Sequence, residues 1–126
     1  MERKMYSFEK LQVWKDIRSM IKDVYELTAT LPEIEKFGLV MQMRRAAISV
    51  SSNLAEGSSR TSPKDQAHFY QMAYSSMMEL LSQFIVSFDL KYISESNYLD
   101  IRQDIEGITY KLNSLRSTAL KRINSK

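Results

Sequence analysis

Apolar residues recur every three or four positions along four long stretches of the chain, which is the period of a helix buried on one face. The first stretch spans about 8–30, with a stripe of Trp14, Ile17, Ile21, Val24 and Thr28. Ser7 stands where an N-cap belongs, and Tyr6 and Leu11 where a hydrophobic staple would close. Leu31-Pro32 ends the stretch, because a residue before proline avoids the α region. Glu33 to Gly38 reads as a short connector with room for one helical turn. A second helix is predicted over 39–57, with Leu39, Met43, Ala46, Val50 and Asn53 on its stripe and Gly57 as a left-handed C-terminal residue.

The third stretch, 62–90, carries the sharpest start signal in the chain. Ser62 is the expected N-cap, Pro63 fits the first helical position and Asp65 completes a capping-box pattern. Its stripe is Tyr70, Ala73, Met77, Leu80, Phe84 and Phe88. The fourth, 94–123, is capped by Ser94, with Ile93 and Tyr98 as a staple pair. It repeats as a near heptad through Tyr98, Ile101, Ile105, Ile108, Leu112, Leu115 and Ala119. Short links predict antiparallel neighbours, so residues 1–126 read as one all-α domain, an antiparallel up-down-up-down four-helix bundle.

Composition narrows the chemistry. The 126 residues include no cysteine, which removes disulfides and thiolate metal ligands and suits a reducing cytoplasm. A di-iron bundle needs two Glu-x-x-His motifs, whereas this chain has a single histidine, His68. There is no Gly-rich phosphate loop and no nucleophile signature. The expectation is a protein with no catalytic site, no metal and no cofactor. The start of the chain lacks the apolar core of a signal peptide, and the longest run free of charge is 13 residues, Gln66 to Met78. A membrane span needs about 20, so a cytoplasmic protein that does not enter the membrane is expected.

Several blocks are recognisable in order and spacing. They are Phe8-Glu9-Lys10-Leu11-Gln12-Val13-Trp14, Phe37-Gly38-Leu39, Gln42-Met43-Arg44-Arg45-Ala46-Ala47, Asn53-Leu54-Ala55-Glu56-Gly57, and Ser76 with Glu79-Leu80. Together they resemble the four-helix-bundle 23S rRNA-intervening-sequence proteins, from Phe8 to about Ile123. That resemblance implies a homopentameric barrel of bundles and carries over no catalytic residues. A related bundle, the accessory protein of diversity-generating retroelements, is a basic pentamer that binds nucleic acid and a reverse transcriptase.

Three groups of residues stand out beyond the core pattern. Helix three is apolar past its stripe at Phe69, Met72, Tyr74, Met78, Leu81 and Ile85, which points to a subunit interface because one apolar face suffices for a bundle helix. Arg45, Asn53, Glu56 and Gly57 form a polar motif in helix two. It reads either as a buried Asn that fixes register before a glycine cap, or as a polar network at one end of the bundle reached by Arg45 or Arg60. Net charge is +3, but bases cluster: Lys15, Arg18 and Lys22 in helix one, and Arg116, Lys121 and Arg122 after the last acid, Glu106. Placed at one end of the bundle, these six are candidates for binding RNA or DNA phosphates. Cations that complement the dipole of a helix C-terminus are the plainer reading. Two functions follow: a homo-oligomeric nucleic-acid-associated accessory protein, or a scaffold that binds another protein.

Overall fold

The computed structural model describes residues 3–123. Four helices account for most of them: α1 Gln12–Thr28, α2 Leu39–Ser59, α3 Pro63–Asp89 and α4 Glu95–Ile123. No strand occurs among the described residues. Each helix packs on two neighbours: α1 on α2 and α4, and α3 on α2 and α4. Ser7 meets Ser58, Arg44 meets Thr28, Ser87 meets Met43 and Phe88 stacks on Tyr98. These contacts set the start of one helix beside the end of the next, the pairing that antiparallel neighbours give. The core holds Ile17, Met43, Leu54, Met77, Phe84, Ile105 and Leu112, all closed to solvent.

The caps of the second half match the sequence pattern. Ser62 Oγ accepts from the Asp65 amide at 3.4 Å behind Pro63, and Ser94 Oγ accepts from the Asn97 amide at 3.1 Å. The end of α3 is a Schellman turn made without glycine. Lys91 takes φ 64°, the Tyr92 amide donates to Ser87 and the Lys91 amide to Phe88.

The first half departs from the pattern in three places. Ser7 does not cap α1: it opens a separate 3-10 turn, Ser7–Lys10, and α1 begins only at Gln12. Tyr6 is exposed and closes no staple; its amide donates to the Glu9 carboxylate instead. The stripe of α1 is also turned by one position. Val13 and Met20 are buried, while Trp14 and Ile21 lie half-buried on the flank, Trp14 edge-on to Phe8. Two apolar residues stand side by side at each of these places, and periodicity alone does not say which of them faces inward.

Gly57 corrects a further expectation. No glycine has a positive φ, and α2 runs through Gly57 to Ser59. A Cβ there would sit 2.8 Å from Tyr70 Cε1 and 3.1 Å from Phe69 Cβ. The glycine is required by the close approach of α3, not by a left-handed turn.

Candidate nucleic-acid interface

Charge is segregated along the bundle. Among the described residues, with each helix divided at its middle, the half that holds the α2–α3 loop carries eleven Lys or Arg against four acids, Glu9, Asp16, Glu56 and Asp65, a surplus of seven. The opposite half carries six bases against ten acids, a deficit of four. A net charge of +3 hides this, because the two halves largely cancel.

At the basic end, the last turn of α4 meets the first turn of α3 through an Arg122–Gln66 hydrogen bond. Lys121 is exposed beside it and Arg116 is half-buried one turn earlier. The Arg122 charge also reaches Tyr70, whose hydroxyl burial pushes above the ordinary phenol value while that charge opposes the shift. Lys10, Arg60 and Lys64 share this end, through the 3-10 turn and the α2–α3 loop. Arg60 and Lys64 stand apart from the basic clusters in sequence, and only the antiparallel pairing gathers them.

The α1 candidates divide. Lys15, Arg18 and Lys22 are exposed at spacings of three and four, which aligns them along one outward stripe. Seven residues of helix rise about 10 Å. Lys15 therefore lies with the basic end, while Lys22 lies in the acidic half, beside Asp23. The groove between α1 and α4 is not basic. Apart from Lys111, which pairs with Asp16, it is lined by Asp16, Asp23, Glu26, Asp100 and Asp104 through two open hollows of 280 and 370 Å³. Burial and the charges of Asp23, Asp100 and Asp16 hold the Asp104 carboxyl above its ordinary value. Among the described residues, no group of three or more His, Cys, Asp or Glu is placed to hold a metal ion. No helix among them is long and apolar enough to cross a membrane.

The polar motif of α2 comes only partly together. Asn53 is half-buried rather than in the core. Its amide donates to the Ser49 carbonyl at 2.9 Å and to Ser49 Oγ at 3.2 Å, and Ser49 Oγ shares a 2.8 Å bond with Ser76 of α3. Asn53 thus tightens the α2–α3 seam through a serine pair. Arg60 reaches Glu56 at 2.8 Å and lies over the Phe69 ring. Arg45 stands three turns away, at the opposite end of the helix.

The helix-three candidates are placed mostly on its flanks. Phe69, Tyr74, Met78 and Leu81 are half-buried, with Met78 and Leu81 packed on the core. Met72 and Ile85 are exposed. A second exposed apolar surface lies where Phe37, Met41 and Ile48 border a groove of 520 Å³ between the end of α1 and the start of α2. Its signal was present in the sequence: Met41, Arg45 and Ile48 follow a second helical stripe, off the buried one.

A family model described as 23S rRNA-intervening sequence protein matches residues 9–114. Among solved structures, the chain is similar to a protein with unknown function from the S23 ribosomal protein family of Bacteroides thetaiotaomicron VPI-5482. The TM-score is 0.77 at 21% identity, over 82% of this chain and 97% of that one, a likeness of fold. No curated protein matches the sequence.

Proposed function

The chain belongs to the 23S rRNA-intervening sequence protein family, and from that premise we propose that it is a non-enzymatic, homo-oligomeric cytoplasmic accessory protein that binds RNA or DNA through phosphates. The supporting observation is the segregation of charge, eleven bases against four acids among the described residues of the half that holds the α2–α3 loop. Exposed lysines from separate elements, Lys10, Lys64 and Lys121, share that end. Such a surface takes up phosphates by releasing counterions and discriminates little between sequences. One copy alone would bind at about 10⁻⁴ to 10⁻⁶ M in physiological salt. The pentamer that the family resemblance implies would gather five such ends and raise avidity by roughly 10² to 10⁴.

The test is fluorescence anisotropy with labelled single- and double-stranded RNA and DNA over a salt series. Affinity is expected to fall linearly in log–log form and to change little with base sequence. Arg122 is engaged with α3, so the informative reversal is Lys64→Glu with Lys121→Glu. It is expected to lower affinity for every sequence alike and to reduce the salt slope by about two. Absence of binding at low salt would leave the protein-binding scaffold as the function.

A further inference from the structure

We propose that the groove between α1 and α2 docks a second copy of this chain, which presents the acidic face between its own α1 and α4. The inference rests on the oligomeric part of the function proposed above and names the surfaces that build the oligomer.

The groove has the character of an interface. Phe37 is 77% exposed, Met41 53% and Ile48 42%, the kind of clustered apolar surface that a lone soluble chain rarely leaves in water. Its lining includes Lys36, Arg44 and Arg45 and no acid. An occupant must therefore bring apolar contact and negative charge together.

The chain itself carries that complement. The α1–α4 face is lined by Asp23, Glu26, Asp100 and Asp104 with no base among them, and half-buried Leu27 supplies its apolar edge. The two faces also lie at one level of the bundle. Arg44 donates to Thr28 Oγ1 at 2.9 Å and to the Tyr25 carbonyl at 3.3 Å, which fixes the Arg44–Arg45 turn beside the end of α1. Asp23, Glu26 and Leu27 belong to the same turns of α1 and line the acidic hollow with Asp100 and Asp104. Two copies standing side by side in the same direction bring opposite charges together without axial slip.

The arrangement closes on itself. The two faces meet along α1, and in a square bundle such faces are turned by about a right angle. A contact between different faces is heterologous, and a rotation of about that size returns to its start after about four or five copies. Helix α1 then stands at the inner edge, which turns Lys15, Arg18 and Lys22 toward the axis. The unrelieved repulsion around Asp104 also finds its counter-charge in the neighbour's guanidinium groups.

Sedimentation velocity of the full chain at about 10 µM tests the inference. Wild type is expected to be a closed oligomer. Arg45→Glu and Asp100→Arg, both at exposed positions, are each expected to raise the dissociation constant on the order of 100-fold and give folded monomer. Both changes in one chain restore opposite charge across the contact and are expected to restore the oligomer. An oligomer indifferent to both single reversals would overturn these surfaces and leave oligomerisation standing. A wild-type monomer at about 100 µM would overturn the surfaces and the oligomer together. The RNA and DNA titrations, run on the same preparations, decide the phosphate-binding reading separately.

Discussion

Helices α3 and α1 are both amphipathic, yet they are held in the bundle by different means. α3 makes the most extensive helix contacts, on α2 and on α4, and contributes Ala73, Met77, Leu80 and Phe84 to the core with no exposure. Its α2 seam is closed by the missing side chain of Gly57 and by the Ser49–Ser76 bond. α1 buries Ile17, Met20 and Val24 as deeply, but its contacts are fewer and its flanks open into one acidic and one cationic groove. The links across those flanks are charged: Lys111 to Asp16, and Arg44 to Thr28 and Tyr25. The apolar breadth of α3 is half-buried at Phe69, Tyr74, Met78 and Leu81 and exposed at Met72, Ile85 and Val86, whereas the flanks of α1 open into charged grooves.

The largest effect is expected where packing is densest. Phe84→Ala removes a fully buried ring from α3 and should cost about 3–5 kcal/mol of unfolding free energy, read from urea titration by circular dichroism. Native-state hydrogen exchange sharpens the contrast. Amides of α1 should open at a lower free energy than those of α3, because fewer contacts hold the helix. Equal protection of the two helices would break the comparison.

A smaller effect is expected at the α2–α3 seam. Gly57→Ala places a methyl against Tyr70 and should cost about 1–3 kcal/mol, seen as a lower thermal midpoint. The cause is separable. If crowding is responsible, Tyr70→Leu should absorb part of the cost in a double-mutant cycle. If backbone conformation were responsible, as the sequence reading had it, the two changes would add.

That glycine shows where sequence was informative and where it was not. Helix number, the caps at Ser62 and Ser94 and most of the stripes of α3 and α4 were legible, since each depends on residues within a turn or two. Gly57 was misread because its partner lies thirteen residues on, in another helix, and nothing local distinguishes a close approach from a left-handed turn. The α1 stripe was misread where Val13-Trp14 and Met20-Ile21 offer two apolar choices side by side. The basic end was half legible. Arg116, Lys121 and Arg122 were visible as a cluster, whereas Arg60 and Lys64 join it only through the fold. The acidity of the α1–α4 groove was not legible at all, because Asp16 and Asp23 are separated by some eighty residues from Asp100 and Asp104.

The smallest expected effect lies in that groove, where two aspartates on facing helices titrate in opposite senses. Burial pushes the Asp16 carboxyl up, but hydrogen bonds from Lys111 and Gln12 and the Lys111 charge together hold it below the ordinary value of 3.8. Its folded pKa is thus lower than its unfolded one. It stabilises the fold above the unfolded pKa, and the contribution is lost as pH falls through the folded value. Asp104 is raised, by burial and by its acidic neighbours. The folded chain holds that proton more tightly than the unfolded one, so ionisation of Asp104 weakens the fold as pH rises past the ordinary aspartate range. Asp16→Asn should therefore destabilise at pH 7 and Asp104→Asn should stabilise. Each change should be a fraction of a kcal/mol, because both groups are solvent-screened, and both should fade at an acid pH where the two carboxyls are protonated. Urea midpoints at the two pH values measure this, best in the Arg45→Glu chain, where no neighbour is expected to occupy the groove. In the assembled wild type the Asp104→Asn gain should disappear, since there the carboxylate would face a guanidinium and its removal would cost an attraction. A stabilising Asp104→Asn in both states would place the acidic groove outside the contact and turn the α1 flank back toward solvent.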